Sequence, residues 1–93
     1  METKVKILYF ASVREAISLK EEYLTIGKVS DITVRDLKQA ILTKHPSTGQ
    51  LLESCMFAVD GEYIYDHTVS LNADLTHVEV AVIPPISGGW FKS

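Results

Sequence analysis

The stretch Ile83-Pro84-Pro85-Ile86-Ser87-Gly88-Gly89-Trp90-Phe91-Lys92-Ser93 holds the residue combination with the clearest chemical meaning in this chain. Two consecutive prolines remove backbone donors and fix φ, so they stiffen an extended arm and exclude a helix or a sheet interior. Gly88-Gly89 carries no side chains and can enter a channel too narrow for any other dipeptide. From Pro84 to Gly89 the arm reaches about 20 Å at ~3.3 Å per residue. An arm of this shape suits the delivery of a backbone carboxyl into a buried active site on another protein; the competing reading is an ordinary chain terminus.

The usual side-chain chemistry is missing. His45, His67 and His77 have no metal-ligand spacing to Cys or to each other, and no Gly-rich phosphate loop precedes a helix, so no metal site is expected. Asp66-His67 would be an acid–base pair on paper, but adjacent side chains point apart and an exposed loop is the simpler reading. The lone Cys55 lies in the apolar run Cys55-Met56-Phe57-Ala58-Val59 and reads as a small core residue rather than a nucleophile. Ser87 has no partner base in sequence. The chain is not expected to be an enzyme by itself.

Composition narrows the classes further. With 93 residues the chain is one domain, and a single cysteine rules out an intrachain disulfide. A net charge of −3, with nine Lys and Arg scattered along the sequence, argues against a nucleic-acid-binding face. No apolar run approaches a membrane span and the first residues do not resemble a signal peptide, so a cytoplasmic protein is expected.

The elements that must carry the arm follow from patterning. Val5-Lys6-Ile7-Leu8-Tyr9-Phe10-Ala11 predicts a central strand, with Val5, Ile7 and Tyr9 on one face and Lys6, Leu8 and Phe10 on the other. A short irregular piece containing Arg14 and Glu15 follows, then a more polar strand, Glu21 to Ile26, paired with the first as a hairpin. Thr33 predicts a helix N-cap that accepts from the Asp36 amide, and Val34, Leu37, Ala40 and Ile41 form an apolar stripe. His45-Pro46 ends that helix, with His45 expected near its last carbonyls. Asp60-Gly61 between Met56–Val59 and Glu62–Tyr65 predicts a tight hairpin, and Val78–Ile83 a buried strand beside the first. Strand, strand, helix, strand, short strand, strand predicts an α+β fold, a β-grasp (ubiquitin-like) mixed sheet with one main helix packed on one face. Residues 1–83 form the domain, 84–89 the arm and 90–93 an extension.

Leu8-Tyr9-Phe10-Ala11 with Val13-Arg14-Glu15, the Ala58-Val59-Asp60 turn, and above all the run from Glu79 through Pro84-Pro85-Ile86-Ser87-Gly88-Gly89 resemble the small, sulfur carrier subunit family of molybdopterin synthase, over Lys4 to Gly89. The resemblance implies that an activating enzyme uses ATP to adenylate the Gly89 carboxylate, which then becomes a thiocarboxylate. It implies no permanently bound cofactor. The arm, Pro84, Pro85, Ile86, Ser87 and Gly88, would enter the large subunit, where sulfur passes to cyclic pyranopterin monophosphate in molybdenum cofactor biosynthesis. Phe10, Tyr63 and Ile83 match the family's partner-binding positions, in a heterotetramer built on a large-subunit dimer. One helix covers only one face of a sheet, which leaves a second face for such a patch.

One departure from the family is plain: Trp90-Phe91-Lys92-Ser93 follows Gly89, whose carbonyl is therefore in a peptide bond. A trimmed natural precursor, an engineered addition and a read-through lineage each account for it. The competing function is a ubiquitin-like protein modifier or β-grasp interaction module.

Overall fold

The computed structural model describes residues 2–71 and 75–85. Five strands form one mixed sheet in the order β2-β1-β5-β3-β4. Along the chain they are β1 (Thr3–Tyr9), β2 (Glu21–Ile26), β3 (Met56–Val59), β4 (Glu62–Ile64) and β5 (Glu79–Ile83). The helices are α1 (Ala11–Ile17), α2 (Val34–Lys44) and α3 (Gly49–Glu53), with a 3₁₀ turn at Pro46–Thr48. The only parallel pairing among these strands joins β1 to β5, with Ile7 beside Val80 and Tyr9 beside Val82. This puts the first and last strands at the centre of the sheet, as their apolar content requires.

Alternation decides the two faces. Val5, Ile7 and Tyr9 of β1, Leu24 and Ile26 of β2, Phe57 and Val59 of β3, and Val80 and Val82 of β5 are buried together. Val34, Leu37 and Ile41 close over them from α2. Each large aliphatic side chain so buried contributes roughly 1.5–3 kcal/mol against conformational entropy. Thr33 caps α2 as expected: its hydroxyl accepts from the Asp36 amide, and the Asp36 carboxylate accepts in return from the Thr33 amide. At the β3–β4 turn Asp60 and Gly61 both have positive φ, 51° and 86°, the geometry of a two-residue hairpin that matches strand twist.

Three local readings change. The piece around Arg14 and Glu15 is helix α1, entered through Ala11 at φ 48° and closed by Ser18 at φ 67°. Its N-cap, Phe10, makes no side-chain capping bond, and only Val13 is fully buried. So short a helix carries almost no periodic signal and exists because Val13 packs into the core. Between α2 and β3, where the patterning indicated no element, Leu52 is buried from α3. His45 does more than attend the last carbonyls: its amide donates to the Ile41 carbonyl, but its ring Nε2 lies 2.7 Å from Glu22 Oε2 on β2. A buried carboxylate is a stronger partner for imidazole than a solvated helix end.

Candidate functional site

The face of the sheet opposite α2 is built from the other set of alternating residues. Strand register places Leu8, Ala81, Ala58 and Tyr63 in one row across β1, β5, β3 and β4. At about 4.8 Å between strands, that row is roughly 14 Å wide. In the next row Ile83 faces Met56. Phe10 falls in step beside Ile83, because Tyr9 faces Val82 and Phe10 keeps extended backbone, φ −123° and ψ 151°. Phe10, Met56 and Tyr63 are 37%, 38% and 47% exposed, whereas Ile83 is half-buried. Phe10, Tyr63 and Ile83 therefore stand on one face of the sheet.

Patterning put Leu8 on the same strand face as Phe10 but missed Met56, Ala58, Ala81 and Tyr65 as members of this surface. Met56 and Ala58 lie in an unbroken apolar run whose two faces cannot be separated until the partner strands are known. The Tyr65 ring lies 6.3 Å from the Tyr63 ring, extending the aromatic edge of the patch. At its other border the register pairs Lys6 with Tyr23 and with Glu79. Lys6 Nζ sits 3.2 Å from Glu79 and 3.6 Å from Glu21, and the Glu79 hydrogen bond with both carboxylate charges raises its pKa. The surface is thus an apolar area bordered by a charge cluster in which one lysine lies between two glutamates.

The arm begins at the rim of this face. β5 ends at Ile83, Pro84 is buried and Pro85 is exposed. Proline stops the ladder there because it has no N–H to donate. Ile86, Ser87, Gly88 and Gly89, with Trp90 to Ser93, lie outside the described residues.

The remaining chemical candidates resolve as structure. Cys55 is buried, its thiol donates to the Leu51 carbonyl, and burial pushes its pKa up to about 11, so it is not a thiolate. Asp66 accepts from the amide and hydroxyl of Thr68, which hold its pKa down, while the ring of His67 turns to the edge of Phe57 at 5.8 Å. The two do not form an acid–base pair. Among the described residues no three His, Cys, Asp or Glu side chains gather as a metal site, and no helix is long and apolar enough to cross a membrane.

A mixed five-stranded sheet with one long helix on one face, a central parallel pair of first and last strands, and an arm leaving the last strand define the ubiquitin-like β-grasp class. The chain matches the ThiS family over residues 7–89 and belongs to that family. It is 36% identical over 88 residues to the human molybdopterin synthase sulfur carrier subunit, covering 92% of this chain and 94% of that one. The Chlamydomonas reinhardtii molybdopterin synthase sulfur carrier subunit is 34% identical over 88 residues, with 92% and 99% covered. A putative molybdopterin converting factor subunit 1 from Pyrococcus furiosus has the same fold, with a TM-score of 0.72 at 26% identity, covering 90% of this chain and 99% of that one.

Proposed function

We propose that this chain is the sulfur carrier subunit of a molybdopterin synthase and that its reactive atom is the carbonyl carbon of Gly89. The observation that carries the reading is the family match, which runs through the Pro-Pro arm and stops at Gly89. In the activating step a Gly89 carboxylate oxygen attacks the α-phosphate of ATP and pyrophosphate leaves. The acyl adenylate then accepts a sulfur nucleophile at the carbonyl carbon, AMP departs, and a thiocarboxylate remains. Sulfur from that group passes to cyclic pyranopterin monophosphate inside the large subunit, which supplies the catalytic side chains.

The division of labour follows from the surface. Phe10, Tyr63 and Ile83, with Leu8 and Met56 beside them, dock on an apolar area of the large subunit, because a patch of this kind gains most by leaving water. Docking there aims the arm: Pro84 and Pro85 hold it extended, and Ile86, Ser87, Gly88 and Gly89 enter the partner's channel. Two copies on a large-subunit dimer form the heterotetramer. Use of ATP by the activating enzyme suits a cytoplasmic reaction.

The test uses a chain ending at Gly89, incubated with the activating enzyme, ATP and a sulfur donor. Intact mass should show one oxygen replaced by sulfur, and purified large subunit with precursor should then yield molybdopterin. Covalent adducts on other proteins, with no sulfur gained by the chain, would overturn the carrier reading in favour of a protein modifier.

A further inference from the structure

β2 and β4 end the sheet, and they are unequal: β4 spans three residues, Glu62–Ile64, whereas β2 spans six, Glu21–Ile26. The Tyr9 amide donates to the Lys20 carbonyl at 2.8 Å. In the antiparallel register Lys20, Glu22, Leu24 and Ile26 therefore bond to β1, and Glu21, Tyr23 and Thr25 turn their N–H and C=O groups outward. Among the described residues no strand pairs with that edge. An open edge of this length is a template for another strand. Helix α2 leaves room beside it, because both hollows that flank Thr25 are lined by the short side chains of Ala40 and Thr43. We propose that this edge pairs with β2 of a second copy of the chain, antiparallel about a two-fold axis that sets Tyr23 opposite the partner's Tyr23.

Self-complementarity selects that partner. Tyr23 is 59% exposed on the outer face, and in this register its ring meets its own copy. Glu21 stands opposite the partner's Thr25, and the next residue in that row is the partner's Lys4, because Lys4 pairs with Thr25 within each sheet. Two strand spacings of ~4.8 Å put Glu21 about 10 Å from that Lys4 between Cα atoms, within the combined reach of two long side chains. Both side chains are exposed, and the two-fold repeats the pair. Sliding the strands one way sets Glu22 against Glu22 or Glu21 against Glu21, which like charges oppose. Sliding them the other way sets Glu21 against Gly27 and parts the two Tyr23 rings. The same axis runs the two α2 helices antiparallel on one side of the joined sheet, the Asp36 end of one toward the Lys44 end of the other.

The apolar patch lies on β1, β5, β3 and β4, and the arm leaves β5, so this pairing leaves both open. A strand edge buries less than a standard interface, which makes the pair weak and dependent on concentration.

Sedimentation equilibrium of the full chain over a rising concentration series should show the weight-average mass climbing from one chain toward two. Thr25→Pro removes an outward N–H and leaves every β1–β2 bond in place, so it should hold the mass at one chain with an unchanged far-ultraviolet spectrum. Cysteines read the register. Tyr23→Cys, with its Cα about 5.5 Å from its copy across the axis, should form a disulfide-linked dimer on oxidation. Glu21→Cys, displaced from its copy along the strands, should not, and the native Cys55 is buried. A parent chain that stays monomeric throughout would overturn the proposal and leave the edge to a strand of another protein. Cross-linking as efficient at position 21 as at 23 would overturn it as well. Undiminished self-association of a folded Thr25→Pro chain would also overturn it and move the contact to another face.

Discussion

The Tyr9 hydroxyl donates to Glu22 Oε2 at 2.6 Å, joining the buried last residue of β1 to β2. Glu22 is the hub of a small network: His45 Nε2 meets the same oxygen at 2.7 Å, and Lys44 Nζ lies 2.9 Å from Oε1. One carboxylate therefore ties β1, β2 and the C-terminal end of α2. Burial and the Glu22 hydrogen bond push the Tyr9 pKa up, so its phenol remains a donor across the working pH range. Tyr9→Phe removes that donor without changing the ring's packing. Loss of a hydrogen bond to a charged acceptor should cost roughly 2 kcal/mol, read as a lower urea midpoint at unchanged m value.

The same hub sets an acid limb. Burial raises the Glu22 pKa, but hydrogen bonds from Tyr9, Lys44 and His45, with the charge of His45, outweigh it and hold the value below the ordinary 4.5. Its contribution to stability is therefore present above that ordinary value and is lost as pH falls through the lower, folded one. Asp36, held below 3.8 despite burial by the Thr33 and Lys28 interactions, acts in the same direction. Glu22→Gln should lose about 2–3 kcal/mol near neutrality. The gap from the parent should shrink as pH falls from the ordinary 4.5 through the lower, folded value. A gap that stays constant over that range would mean that Glu22 acts only through its shape.

Docking should be separable from folding on the outer face. Phe10 and Tyr63 are substantially exposed and absent from the core, so Phe10→Asp or Tyr63→Asp should change stability by less than about 1 kcal/mol. Either should abolish co-elution with the large subunit. Tyr23→Asp is the control: Tyr23 is 59% exposed on the same face but pairs with Lys6, beyond the apolar rows. Its variant should still bind, and undiminished binding by Phe10→Asp would move the interface elsewhere.

The β3–β4 turn offers a purely conformational test. A methyl group on Gly61 would meet nothing within 4 Å, but its φ of +86° disfavours any L side chain. Gly61→Ala should cost roughly 1–2 kcal/mol in thermal or urea unfolding, and Gly61→Asn noticeably less, because asparagine tolerates the left-handed region.

Much of the architecture was legible because its signals are local. The Thr33 cap, the Val34-Leu37-Ile41 stripe and the Asp60-Gly61 turn each lie within a few residues, and each formed as patterned. Helix α1 was not legible, since seven residues with one buried side chain leave no period to detect. The Glu22 network was equally hidden: its partners stand at positions 9, 44 and 45, and nothing in a polar edge strand signals that one glutamate turns inward.

By itself the sequence supplied the resemblance on which the class of chemistry rests, because the run from Glu79 through Pro84-Pro85 to Gly88-Gly89 is a covalent fact. It also indicated three pairings, β1 with β2, β3 with β4 and β5 beside β1, from local hydrophobic periods and turn residues, while the β3–β5 pairing came only with the fold. Only the tertiary structure decided which side chains share the outer face. Leu8, Ala81, Ala58 and Tyr63 become one row through the pairing of four strands far apart in sequence. A shift of one residue in that register would send each of them to the core, and register is fixed by long-range packing that no short window contains.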